Sequence, residues 1–478
     1  MVVCVIVADH GHDIGVLSGF RHEFYRCLPA RADALFELTD ALLCADGPVK
    51  TLVDLTLTAE HRRGHGAMYD GLNHGMVDIG RLRRALAGLP LPRFDGRLVL
   101  AVDVSPWLRS DAACSPDRLF CHVYGRAKTA SQFIPGWPYS FVAALEPGRT
   151  SWTAMLDVVR LGPADDATAV TAAQLRDVVG RLIAAGQHRP GDPDILIVCD
   201  AGYDVTRLAF VLADLPIEVV GRIRADRVLR LPIPVRIPGT TGRPPKHGVE
   251  FDLKDPATWP PLAVTTVTDT AHYGKAEATA WDRLHPRLTH RAAWLDHRGP
   301  LPVIEGTLIR LAVEHLPGDR HAQPMWLWSS RVGATAADVD RCWHAYLRRF
   351  DLEHTFRLFK QTLGWTRPKI RTPEAADRWT WLIIAAHTQL RLARPLAIDL
   401  RRPWEKPTPA NRLTPARVRR GFRNLRPKAG SPAGAPKPSR PGPGRPLGLR
   451  NRHTATRHDV GKTVKREKTL KAQQHQPG

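Results

Sequence analysis

The sequence predicts an α/β protein: a mixed β-sheet flanked by helices, with a helical region in front, a β-rich insertion within and a basic tail behind. Three observations carry this. LVLAVDV (98–104), ILIVC (195–199) and IEVVG (217–221) are short, apolar and β-branched, as buried strands are. VTAAQLRDVVGRLIAAG (170–186), between the first two, has the apolar repeat of an amphipathic helix. A chain of 478 residues, 43% of them hydrophobic, is long enough for roughly two to four domains with real cores.

In chain order, residues 1–18 begin MVVCVIVADHGHDIG, too short in its apolar part and too poor in basic residues for a signal peptide, and they stand as an uninterpreted extension. Residues 19–95 read as a helical N-terminal domain, with helical periodicity on both sides of a glycine-marked break. Its arginines, Arg62, Arg63, Arg81, Arg83 and Arg84, suit a small DNA-binding domain and, nearly as well, a solvated helical linker. Residues 96–230 form the first part of the sheet core. There LVLAVDV, FCHVYGR and YSFVAALEP are strands, KTASQ and PGWP are turns, and the helix 170–186, ILIVC, the helix TRLAFVLADL and IEVVGRIRA follow. Residues 231–330 form the insertion, proline-rich at first and then carrying LAVTTVTD, LIRLAVEHL and MWLWSS. The core resumes over 331–400. From 401 to 478 proline, glycine and arginine rise and apolar periodicity fades, so that disorder is expected from 417 onward in the absence of DNA.

Charge narrows the partner. Residues 401–478 hold 21 Lys and Arg against 3 Asp and Glu, and so most of the chain's net charge of +22. A nearly neutral body with a cationic tail points to a polyanion. A membrane surface is the competing partner, but the tail lacks an amphipathic apolar face, and no apolar run reaches the eighteen or so residues of a membrane span. Nucleic acid is the better match. The seven cysteines (Cys4, Cys27, Cys44, Cys114, Cys121, Cys199, Cys342) are scattered and form no C-x-x-C. That pattern argues against a disulfide framework or structural zinc and for a reducing cytoplasm.

Two of the predicted strands end in a carboxylate, Asp103 and Asp200. Each alone reads as a turn cap at least as well as a chemical group. Asp204, four residues on, reads as a helix N-cap before it reads as an assistant to the site. The stretch YLRRFDLEHTFRLFK (346–360) is predicted as one helix, on which Tyr346, Arg349, Glu353 and Lys360 fall in a stripe roughly 60° wide and about 21 Å long. Apolar residues beside the stripe would hold it over a groove; ordinary surface pairing, such as Arg349 with Glu353, is the plainer alternative. Two strand-end aspartates and a later helical glutamate are the ligand types that a two-metal phosphoryl-transfer site needs.

Asp103, Asp200 and Glu353, with Y-x2-R-x3-E-x6-K around the glutamate, resemble the DDE transposases of bacterial insertion sequences that bear the Tyr-Arg-Glu-Lys signature. The resemblance spans residues 98–363 and the helical N-terminus, and implies a ribonuclease-H-like fold interrupted by a β-strand insertion between the second aspartate and the glutamate. It implies that Asp103, Asp200 and Glu353 bind two Mg²⁺ ions, with Mn²⁺ a possible substitute. Tyr346, Arg349 and Lys360 would then hold transposon-end DNA, and the enzyme would cleave at terminal inverted repeats and join the ends to target DNA. A homodimer in the synaptic complex and a cytoplasmic, nucleoid-associated location are further implications. An inactive DNA-binding derivative and a nuclease without strand transfer are the alternatives. An aromatic of the insertion, Trp326 or Trp328, would stack on a flipped base, although core packing suits them better. Arg445, in Gly444-Arg445-Pro446, resembles the centre of a minor-groove AT-hook, and Gly242-Arg243-Pro244 repeats it.

Overall fold

A computed structural model of the chain describes residues 2–124, 131–148, 150–233, 245–271, 273–291, 294–295, 297–316, 322–437 and 454–461. Five helices come first: α1 (Val2–Arg26), α2 (Ala32–Cys44), α3 (Leu52–Thr56), α4 (His65–His74) and α5 (Ile79–Ala87). The core follows as β1 (Val99–Leu108), β2 (Leu119–Tyr124), β3 (Ser131–Leu145), β4 (Thr153–Arg160), α6 (Ala167–Ala184), β5 (Ile195–Cys199), α7 (Val205–Val211) and β6 (Ile217–Ile223). Next are β7 (Val228–Arg230), β8 (Glu250–Asp252), β9 (Val264–Thr270), β10 (Gly274–Leu284), β11 (Gly306–Val313) and β12 (Met325–Ser329). The described chain closes with α8 (Ala336–Arg348), α9 (Phe350–Gln361), α10 (Pro373–Ala393) and α11 (Pro415–Ala429).

The strands β4, β3, β1, β5 and β6 lie side by side in that order, β1 antiparallel to β3 and parallel to β5, and β5 parallel to β6. Helices α6 and α7 make the crossovers that parallel strands require. This is a ribonuclease-H-like mixed sheet. Alternation along β1 sorts its residues between two cores. Val99 and Ala101 join the cluster that holds α8–α11 and the N-terminal helices, while Leu100 and Val102 join the one under α6 and α7.

Several expectations need correction. The β-rich insertion expected over 231–330 is present, and what the sequence left open is its place: it extends the central sheet, where β12 pairs antiparallel with β6, and β11, β10 and β9 follow outward. The N-terminal helices are not a domain with its own core, because they share one apolar cluster with α10 and α11. Nor is there a boundary at residue 18, since α1 runs through it. PGWP is strand, not turn: β3 passes straight through it, and Gly136 is required because a Cβ there would lie 2.5 Å from the Trp107 carbonyl oxygen. The strand β4 went unread, its apolar pattern broken by Asp157, which is buried between Arg83 and Arg181.

The tail is the largest correction. Residues 415–429 form α11, whose Val418, Phe422 and Leu425 are buried against the helical layer. Its arginines are spent on internal partners: Arg420 on Glu405, Arg423 on Glu60, Arg426 on Asp40, and Arg419 on the Leu42 and Gly47 carbonyls. Four of the five N-terminal arginines behave alike, Arg62 and Arg63 on Glu37, Arg81 on Glu23 and Arg83 on Asp157, whereas Arg84 is exposed. No described helix is long and apolar enough to cross a membrane, and Cys27, Cys44, Cys114, Cys121, Cys199 and Cys342 are free.

Candidate active site

The parallel register Val102↔Cys199 makes Asp103 and Asp200 the next residues on two neighbouring chains, about 4.8 Å apart at the backbone. Side-chain alternation then decides their direction. Asp103 follows the parity of Val99 and Ala101, and Asp200 that of Leu196 and Val198, so both belong to the face covered by α8 and α9. Asp103 does not end its strand, because β1 continues to Leu108. Beyond Val102 that strand is paired on one side only, an edge where Pro106 is tolerated.

Glu353 comes from the first turn of α9. Phe356 and Phe359 fasten this helix to Phe141 of β3, with ring centroids 5.0 and 6.2 Å apart. Leu352 and Leu363 are buried beside them, whereas Phe350 on the other flank is 45% exposed. The expected single helix 346–360 is in fact two, tightened at Arg349, whose N–H donates three residues back to the Tyr346 carbonyl at 3.1 Å. Arg349 keeps helical dihedrals, φ −53° and ψ −30°, so the stripe runs on across the break.

Arg349 is the hub of the site. Its Nη1 donates to Asp103 Oδ2 at 3.1 Å, and its Nη2 lies 3.7 Å from Asp200 Oδ1 and 3.2 Å from Glu353 Oε1. Tyr346 Oη donates to Asp200 Oδ1 at 3.1 Å. The Lys360 ammonium stands 5.7 Å from the Trp365 ring centroid and is exposed to the field of Asp103. Thus Tyr346 and Arg349, expected to face a DNA groove, here face the carboxylates.

Burial pushes the Asp103 carboxyl up to about 6, against the pull of the Arg349 charge; Asp200 and Glu353 add to the rise. Burial also works against the Arg349 guanidinium, but Asp200 and Asp103 outweigh it and hold its pKa above the ordinary value. The Tyr346 hydroxyl is pushed up to about 12, by burial first and then by Asp200, so it stays a hydrogen-bond donor. Burial draws Lys360 down. Three acids that repel one another are held together by one shared cation.

A donor set made only of carboxylate oxygens is what hard divalent cations prefer, and Arg349 marks where positive charge is stable among them. The residues therefore fit such ions. As placed, no group of three His, Cys, Asp or Glu among the described residues is close enough to hold one. The side chains of Asp200 and Glu353, 39% and 48% exposed, have room to turn inward.

The remaining expected residues fall elsewhere. Asp204 caps α7, accepting from the Arg207 N–H at 3.0 Å. Trp326 and Trp328 are core: Trp326 packs with Phe251, Trp259 and Trp281, and Trp328 donates to the Leu284 carbonyl at 3.0 Å. Arg445 and both Gly-Arg-Pro tripeptides lie outside the described residues. Reading the motif missed the shared role of Arg349, since its spacing pointed to Glu353 alone. The buried position of Arg349 beside two strand carboxylates was a signal only the fold could supply.

The family described as DDE superfamily endonuclease matches residues 23–287, more than half of the chain. The match takes in Asp103 and Asp200 and stops short of Glu353. Among curated proteins, none is similar enough to this chain to count as a match.

Proposed function

This chain belongs to the DDE superfamily of endonucleases, and from that premise we propose that it is the transposase of an insertion sequence. It binds terminal inverted repeats, cuts the phosphodiester bond at each end and joins the freed 3′ ends to target DNA. The observation that carries this reading is the meeting of Asp103, Asp200 and Glu353 around one guanidinium.

In this reading the three carboxylates hold the divalent ions, Mg²⁺ with Mn²⁺ as a substitute. Bound there, such ions would lower the pKa of the attacking water or hydroxyl and stabilise the leaving oxygen. The protein's own part is to place the strand. Arg349 offers a fork of donors to phosphate oxygens, Lys360 a point charge, and Tyr346 a neutral hydroxyl. For Arg349 and Tyr346 this requires letting go of the carboxylates they now bond.

The test is incubation of the purified protein with Mg²⁺ and DNA carrying the flanking ends. Nicking at the ends followed by a joined product is expected. Asp103→Asn, Asp200→Asn or Glu353→Gln should each lower nicking by more than about 100-fold, beyond what loss of an outer-shell partner costs, with end binding retained. Binding without nicking by the unaltered protein would make it a DNA-binding derivative. Cutting that never yields a joined product would make it a nuclease.

A further inference from the structure

A second cationic feature lies beyond the carboxylates. The chain leaving α9 turns at Gly364, where φ is +71° and a Cβ would come within 2.8 Å of the Val49 carbonyl oxygen. That close approach, with the Val49 N–H donating to the Thr362 carbonyl at 3.0 Å, sets residues 366–372 opposite the start of α3. Between them is a cleft of about 750 Å³, lined among others by Lys50, Tyr69, Asn73, Arg367, Lys369 and Arg371.

Two features set this cleft apart from the basic segments already described. Those segments spend most of their arginines on internal acids and carbonyls, whereas the side chains of Lys50, Arg367 and Arg371 are exposed and have no partner among the described residues. Lys369 is paired, with Asp111 at 2.5 Å. The nearby acids are engaged as well: Asp54 caps α3 and Asp70 pairs with Arg31. Tyr69, 43% exposed, adds an aromatic face.

The cleft is also rigidly tied to the site. One wall continues α9, whose Gln361 lies eight residues beyond Glu353, roughly 12 Å of helix. That wall is fixed to the end of β1 by Arg109, which donates to the Ile370 carbonyl, and by Trp365 packed on Trp107. The lining on that wall begins at Thr366, five residues further on, at most about 18 Å of chain, so the cleft begins within about 30 Å of Glu353, or roughly nine base pairs at about 3.4 Å each.

We propose that this cleft binds the phosphate backbone of the DNA duplex running away from the carboxylates, independently of its sequence. The proposal rests on the endonuclease reading for the identity of the polyanion, but its test does not depend on cleavage. Full-length protein carrying Lys50→Ala, Arg367→Ala and Arg371→Ala together is titrated against a fluorescent duplex over a range of salt. A second triple variant, Lys254→Ala, Lys275→Ala and Arg298→Ala, loses the same charge from exposed sites elsewhere.

The cleft variant should bind at least tenfold more weakly at moderate salt and lower the log–log salt slope by about 2 to 3, at roughly 0.9 per phosphate contact. The second variant should leave the slope nearly unchanged. Equal effects of the two triples, or no effect of the first, would overturn the proposal. Asp200→Asn in parallel keeps the two readings apart: it should abolish nicking and leave the slope alone. A cleft variant with normal binding beside an inactive Asp200→Asn would sink the cleft and spare the active site.

Discussion

Arg349 shows how one residue holds a site together that would otherwise repel itself. Its guanidinium is almost fully buried and touches all three acids, while Asp200 and Glu353 keep contact with water. Arg349→Met keeps the bulk and removes the charge, and should cost about 2 kcal/mol in chelator, the scale of a lost charged hydrogen bond. Mg²⁺ should recover more stability in the variant than in the parent. Denaturant midpoints with and without Mg²⁺ measure both, and identical midpoints would deny Arg349 its role as counter-ion. A second buried group acts on stability alone. His387 packs between Trp152 and Phe359 with neither ring nitrogen partnered, and burial lowers its pKa to about 3. It is therefore neutral when folded. Between pH 6.5 and about 3 the unfolded chain binds a proton that the folded chain does not, so stability falls as pH falls through that window. His387→Leu should remove up to about 2 kcal/mol of the loss between pH 6.5 and 5, at 1.36 kcal/mol per unit. Urea unfolding at the two pH values decides it.

At the scale of elements, α11 is the instructive failure. Its sequence, PARVRRGFRNLRPKA, is dominated by arginine and begins and nearly ends in proline, a composition that suggested disorder. Yet Val418, Phe422 and Leu425 recur at i, i+4 and i+7, one apolar stripe on a helix, and Pro415 stands at the first turn where proline costs no hydrogen bond. Three apolar positions among so many charges are too few to stand out against that composition. Phe422→Ala should destabilise the protein by about 3–5 kcal/mol, as other large-to-small core changes do. A thermal melt tests this; an unchanged midpoint would mean the helix does not hold the helical layer. The strand β5 and the first half of β1 were legible for the opposite reason, being buried on both faces and hence continuously apolar. The long β3 was only half legible, since its prolines and glycine spell a turn unless their place in the sheet is known.

For the whole molecule, the high net charge divides into two parts. Most arginines of α11 are held by acids of the fold, Asp40, Glu60, Asp399 and Glu405, so the cationic groups left to meet a polyanion are those of the cleft and of the residues beyond α11. From Lys437 to the end there are 11 Lys and Arg against 2 acids. Deleting 437–478 should weaken duplex binding and flatten its salt dependence, each phosphate contact being worth about 0.9 in slope, and should lower the melting temperature slightly, because it removes the hydrogen bonds that His458 makes to the Ala113 carbonyl and to Arg118. A deletion with no shift at all in the melting temperature would show that the contacts of His458 with Ala113 and Arg118 add nothing to stability. One that binds with the original slope would show that this segment does not touch DNA. Sequence by itself determined most of the kinds of element, singled out Asp103, Asp200, Glu353 and their polar companions as candidates, and pointed to a polyanionic partner. These are local properties, written in periodicity, spacing and composition. Only the tertiary structure decided that the insertion would join the central sheet, that α11 would close the helical layer, and that three distant acids would converge on Arg349. Each of these depends on pairing between segments far apart in the chain, where the register Val102↔Cys199 aligns two aspartates and no window of sequence contains both strands.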